Sequence, residues 1–247
     1  MVTAIDLLAA LTLEKFPDID GTRLEEASFP KLLILPEDDS LPLLVELERL
    51  EGKRLRATLL TRKSGAISRL LRHAQVIFGG EASAATKEFP LPTANGPRRV
   101  ITCEKIYAEL VPFGKNFRTL HGEVSLRGDT ASGTLIAPAL PFSCPLLPHP
   151  LLLDGAMHAA CVHGQSFCGF VPFPASFTAM RVENAHSLQI PGYPYQTHCR
   201  LTAKSSSEPR YDLRVHGNGG SINLAGLLMK DVSGGAIKPP PWIRQIS

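Results

Sequence analysis

The spacing of hydrophobic positions changes several times along the chain, and each change marks a different element. Over residues 3–16, Ile5, Leu8, Ala9, Leu13 and Phe16 recur at helical spacing. Thr3 is placed to cap that helix with Asp6 three residues on, and Pro17 stops it. From about 24 to 78 the period becomes two. Val45 and Leu47 alternate with Glu46 and Glu48, and Leu55, Ala57 and Leu59 alternate with Arg54, Arg56 and Thr58. Gly52 between these runs predicts a hairpin. Residues 71–78 predict a further strand.

Residues 79–99 have no period. Gly79-Gly80 and the stretch from Pro90 to Pro97 are rich in breakers, so 81–100 reads as a linker. Beyond it the pattern predicts a short helix over 102–110 and strands over 120–127 and 132–138, separated by Gly128-Asp129. A second apolar helix follows over 151–166, behind Pro148 and Pro150. Strands return over 177–182, 196–203, 211–216 and 221–229, and Gly217-Asn218-Gly219-Gly220 predicts a tight hairpin.

The two halves therefore resemble each other, each with one apolar helix followed by antiparallel strands. The repeat is roughly 100 residues, too long for a solenoid and suited to two fused units. The fold class is α+β, and a helix wrapped by an antiparallel sheet, twice in tandem, is the double hotdog arrangement. The expected divisions are an N-terminal hotdog over 1–80, the linker, a C-terminal hotdog over 101–232 and a tail over 233–247, with Pro239-Pro240-Pro241-Trp242 as an irregular or docking segment. About 50 residues separate the linker from the second helix, whereas the first helix begins two residues into the chain. If the halves are homologous, the first copy lacks its leading strands.

Composition narrows the function. A chain of 247 residues, 44% hydrophobic and 20% charged, can bury a sizeable core. Lys plus Arg is 26 and Asp plus Glu is 23, a net +3 with the basic residues scattered, which argues against nucleic acid. No stretch approaches the roughly 20 apolar residues of a membrane span. The start of the chain has no basic segment and an early acid, so a cytoplasmic location is expected. Five cysteines without CxxC spacing read as reduced thiols filling the core.

The densest chemistry is His149-Pro150-Leu-Leu-Leu-Asp154-Gly155-Ala156-Met157-His158-Ala-Ala-Cys161-Val-His163. Asp154 and His158 are four apart, so a helix sets them on one face where they meet. An acid in the first turn of a helix also faces the positive end of its dipole. An apolar surround of Leu151, Leu152, Leu153, Ala156 and Met157 would favour the protonated carboxyl, as a general acid requires. The bland alternative is a helix-start acid beside a satisfied core histidine. A metal site from His149, Asp154, His158, Cys161 and His163 is disfavoured, because Pro150 separates His149 from the helix and His163 points well round from His158.

His149-Pro150-x-x-x-Asp154-Gly155-Ala156-x-His158 resembles the second catalytic motif of dehydratase domains from polyketide synthases and related fatty acid synthases. Pro112-Phe113-Gly114-Lys115-Asn116-Phe117-Arg118 resembles the family's Tyr-Gly-Pro-x-Phe-x segment. Val171-Pro172-Phe173 to Val182 is similar to the strand after the helix, and Arg72-His73-Ala74 to the last strand of the first hotdog. Together the resemblance spans about 1–230.

It implies a double hotdog that removes water from a 3-hydroxyacyl thioester carried on an acyl carrier protein. In that chemistry a histidine takes the C2 proton and an aspartate protonates the departing C3 hydroxyl. Asp154 matches the aspartate and His158 the residue that orients it. Phe113, Gly114, His149 and Pro150 fall where substrate binds. No cofactor is implied beyond the carrier's phosphopantetheine arm. The implied partners are the carrier protein or neighbouring synthase proteins, and a homodimer fits the fold. The chain departs from the family in three places. No residue matches the His-x-x-x-Gly-x-x-x-x-Pro motif that supplies the base, because the sequence begins at the helix which follows that motif; a fragment and a natural short form both account for this. Phe113 stands for the usual Tyr, and Lys115 for the usual Pro. The non-enzymatic alternative is a degenerate module that binds acyl chains or carrier protein, or acts as a scaffold. A hotdog thioesterase would use a helix carboxylate to activate water but needs no histidine partner. Serine hydrolase and phosphate-loop readings lack their Gly-x-Ser-x-Gly and Gly-x-x-x-x-Gly-Lys motifs.

Overall fold

The structure, a computed structural model, describes residues 1–34, 40–63, 69–80, 96–111, 113–138 and 149–244. Two helices organise it. α1 (Val2–Lys15) buries Val2, Ile5, Leu8, Ala9 and Thr12. Its N-cap is Met1, without a side-chain cap bond. Thr3 is already inside the helix, so the expected Thr3 cap is corrected. α3 (Pro150–Gln165) is apolar all round, and every residue except Asp154 is buried. A helix of that kind is stable only when enclosed on all sides.

Antiparallel strands enclose both helices. α1 is followed by β1 (Arg23–Ser28), β2 (Leu43–Leu50), β3 (Arg54–Lys63) and β4 (Arg69–Gly79). β5 (Arg98–Thr102), β6 (Leu120–Arg127) and β7 (Thr130–Ile136) precede α3. β8 (Phe173–Glu183), β9 (Pro194–Ala203), β10 (Arg210–Gly217) and β11 (Gly220–Lys230) follow it. All join one eleven-stranded sheet in the order β2-β3-β4-β1-β8-β11-β10-β9-β7-β6-β5. Read outward from the β1–β8 seam, β1-β4-β3-β2 on one side matches β8-β11-β10-β9 on the other. The repeat seen in the periodicity is thus a repeat of topology, a double hotdog. β7, β6 and β5 extend the second side and have no counterpart among the described residues of 1–80. β5 begins at Arg98, inside the stretch expected as linker, of which 81–95 lie outside the described residues.

Inward-facing Leu55, Ala57 and Leu59 are buried, as the alternation requires. In the β10–β11 hairpin Gly217 pairs with Gly220, and Asn218 (φ 51°) and Gly219 (φ 80°) both have positive φ, as a type I′ turn demands. The predicted helix over 102–110 is composite. α2 (Cys103–Lys105), capped by the Thr102 side chain, runs into a π-helical turn at Ile106–Leu110.

The tail carries α4 (Pro241–Arg244), which is fastened to the second half. Ile243 is fully buried. The Trp242 indole donates to Glu109 Oε2 at 2.5 Å and lies under the Lys105 ammonium, 4.0 Å from the ring centre. Arg99 donates to the Trp242 and Ile243 carbonyls. Cys103, Cys161, Cys168 and Cys199 are free and buried. Desolvation pushes the thiols of Cys103, Cys161 and Cys199 up to about 12 and that of Cys168 to about 11. Cys144 lies outside the described residues.

Candidate active site

α3 starts at Pro150, whose fixed φ suits the first helical position and whose missing N–H leaves no donor unsatisfied. That start sets Asp154 in the second turn. The expected benefit from the helix dipole, which fades within the first turn, is therefore corrected. One turn on, His158 Nε2 lies 3.1 Å from Asp154 Oδ2, the i,i+4 contact the spacing predicts. The His158 side chain is 5% exposed and that of Asp154 22%, so the carboxylate is the opening in an otherwise buried helix. The contact is at ion-pair distance but off the line of an N–H bond, and Nε2 has no aligned hydrogen-bond partner among the described residues.

Gly155 explains how the helix comes so close to the sheet. A Cβ there would stand 2.1 Å from Thr119 Oγ1 and 2.7 Å from Leu135 Cδ2. Thr119 Oγ1 donates to the Leu151 carbonyl at 3.2 Å and so ties the segment before β6 to the first turn of α3.

Rings from the preceding segment hold the imidazole. Phe113 stacks on His158 with centroids 4.8 Å apart and planes at 22°. Tyr107 meets it edge-on at 5.9 Å and 82°. The Tyr107 hydroxyl is 3.4 Å from His158 Nδ1 and accepts from the Leu120 N–H at 2.9 Å. Arg118 Nε donates to the Phe113 carbonyl, and its guanidinium lies over the Tyr107 ring. Gly114 caps the 3-10 turn Lys115–Phe117 that carries this loop back. α1 arrives on the other side. Burial lowers the Met1 α-amino group below its ordinary pKa, and the charge of Asp154 works against that shift.

Of the residues expected at the site, Asp154, His158 and Phe113 are in mutual contact through the imidazole. Gly114 adjoins Phe113, and Pro150 starts the helix. His149 is turned to the backbone. Its Nε2–H donates to the Pro138 carbonyl at 2.6 Å, and burial lowers its pKa, which keeps it neutral. His163 belongs to a different network. Its Nε2–H donates to the Gly128 carbonyl at 3.0 Å, and Nδ1 accepts from the Tyr211 hydroxyl at 2.9 Å. Sequence reasoning passed over Tyr107 and Thr119, one an aromatic within a short predicted helix and the other a loop residue.

No protein-family model and no curated protein matches the sequence. Solved structures do. A trans-AT PKS dehydratase domain from Brevibacillus brevis superposes with a TM-score of 0.74 at 12% identity, covering 94% of this chain and 85% of that one. The dehydratase domain of RzxB from Pseudomonas fluorescens gives 0.70 at 18% identity, covering 93% and 84%. The dehydratase domain of a mycocerosic acid synthase-like PKS gives 0.69 at 18%, covering 94% and 82%. At these identities the likeness establishes the fold. That fold is the double hotdog expected from the sequence, similar to those dehydratase domains.

Proposed function

We propose that the chain acts on 3-hydroxyacyl thioesters presented by an acyl carrier protein, taking part in the loss of water by acid/base chemistry. The observation that carries this reading is Asp154. It is the one residue of α3 that is not buried, and it is held one turn from a buried imidazole. A helix closed everywhere else offers substrate one polar group, and that group is an acid with an orienting partner.

In the reaction a base removes a proton from C2, the C2–H electron pair forms the C2–C3 double bond, and the C3–O bond breaks. The Asp154 carboxyl donates its proton to the departing hydroxyl, which leaves as water. The carboxylate that remains faces His158 Nε2 until it is reprotonated. Phe113 fixes the imidazole by stacking, and Gly114, His149 and Pro150 shape the approach to the helix start. The chemistry needs no cofactor, since only protons move. The proposal assigns the acid half of the pair, and no described residue is given the role of C2 base.

A second reading has its own support. Phe113 covers one face of His158 and Tyr107 borders its edge, a closed arrangement that would also serve a module binding acyl chains or carrier protein without turnover. One experiment separates the two. The purified chain is given a 3-hydroxyacyl thioester, and the matching enoyl thioester, in deuterated water, with mass spectrometry of water loss, hydration and exchange at C2. Turnover that falls at least ~100-fold in Asp154→Asn, the low end for a general acid, supports the enzyme. Neither turnover nor exchange from folded protein would overturn it and leave the binding module.

A further inference from the structure

Tyr107 is 5% exposed and its hydroxyl has two neighbours of known character. The Leu120 N–H, 2.9 Å away, can only donate, so the phenol oxygen accepts there and its own proton must go elsewhere. The Thr119 hydroxyl is also beside the phenol; its own proton is directed to the Leu151 carbonyl, so its oxygen is a second acceptor within reach of the phenol proton. His158 Nδ1, at 3.4 Å, is the nitrogen within reach of the phenol proton.

A neutral imidazole carries one proton, and the partner of one nitrogen decides which of the two holds it. A phenol donating to Nδ1 requires a lone pair there and places the ring proton on Nε2. Nε2 is the atom 3.1 Å from Asp154 Oδ2, off the line of a hydrogen bond, and no other described residue bonds to it. Once Asp154 is ionised, as it is after giving up its proton, the opposite tautomer would set the Nε2 lone pair against the lone pairs of the carboxylate. Ring rotation cannot exchange the two nitrogens easily, because Phe113 lies flat on one face and Tyr107 abuts the edge. We infer that Tyr107 is a positioning residue, which donates to His158 Nδ1 and so turns the Nε2–H of the neutral imidazole towards Asp154.

Tyr107 is itself held in place. Gln165 Nε2, at the far end of α3, donates to the Leu110 carbonyl of the same π-helical turn at 2.9 Å. The turn that carries the phenol and the helix that carries the imidazole are therefore joined at two levels. The part Tyr107 plays in water loss rests on the dehydratase reading, whereas the tautomer it selects does not.

The test is long-range nitrogen–proton correlation NMR on the full chain with 15N-labelled histidine, at about pH 8 where an ordinary imidazole is neutral. The expected wild-type spectrum shows the His158 proton on Nε2. Tyr107→Phe, which keeps the ring and removes the hydroxyl, is expected to give a mixture of tautomers at His158 while the His163 signals stay fixed. Should Tyr107→Phe fail to fold, 3-fluorotyrosine at position 107 retains the hydroxyl and makes it a better donor, and it is expected to move the His158 Nδ1 resonance towards the protonated range. A wild-type proton on Nδ1, or a His158 spectrum unchanged by either substitution, would overturn the assignment. In a turnover assay Tyr107→Phe is expected to lower kcat about fivefold to tenfold, the worth of one neutral hydrogen bond, with KM little changed. A tautomer shift in a protein that never dehydrates would leave the positioning role standing and reject the dehydratase reading alone.

Discussion

Gly155 and the buried histidines show how single residues set the site. Gly155 lets α3 settle against Thr119 and Leu135, with no room for even a methyl group. Gly155→Ala is expected to cost ~1–3 kcal/mol through overpacking, despite alanine's better helix propensity. A urea titration with unchanged or raised stability would show that the helix can back away. His149 and His163 make the chain sensitive to acid. Burial, the largest influence on each, lowers both pKa values from the ordinary 6.5, opposed by their backbone carbonyl bonds. Below pH 6.5 the unfolded chain takes up protons that the folded chain refuses. Their contribution to stability is therefore whole above that pH and lost as the pH falls towards the folded values. Urea midpoints at about pH 7.5 and about pH 5.5 should differ, and His163→Gln should reduce the difference. An identical drop in that variant would assign the effect to other groups.

Among the elements, the β10–β11 hairpin depends most directly on two residues. With Gly219 at φ 80°, Gly219→Ala should cost about 1 kcal/mol, read from the same titration. That hairpin was legible because Asn-Gly between alternating runs is a local signal. The spans of both long helices were legible for the same reason, and so was the Asp154–His158 contact, which needs only helical spacing. Their caps were not. Thr3 looks like a cap in sequence, yet the helix starts a residue sooner, and Pro150 starts the second helix early enough to carry Asp154 past the first turn. The rings on His158 were beyond a periodicity argument, since Phe113 and Tyr107 reach it from a segment some 40 to 50 residues away in sequence. Resemblance brought in Phe113. Tyr107 had neither a motif nor a period to mark it.

At the scale of the whole molecule, the β1–β8 seam turns two similar halves into one sheet. β1 is hydrogen-bonded along both edges, to β4 and to β8, so neither half can shed it without breaking a ladder. Unfolding is expected as one transition. Far-ultraviolet circular dichroism, which sees both halves, should coincide in urea with the fluorescence of Trp242, the single tryptophan, which is docked on the second half. Separated curves would mean that the seam does not couple the halves. Period analysis could not reveal the seam, because no local pattern encodes pairing between strands some 150 residues apart. The cysteines give the same coupling a clock. All five sit at position 103 or beyond, and the four that are described are buried thiols with raised pKa. A thiol reagent can reach those four only when the second half opens, and an excursion confined to residues 1–80 leaves no covalent mark. With Cys144 replaced by Ser, the speed at which the folded chain takes up label becomes a record of how often its second half opens.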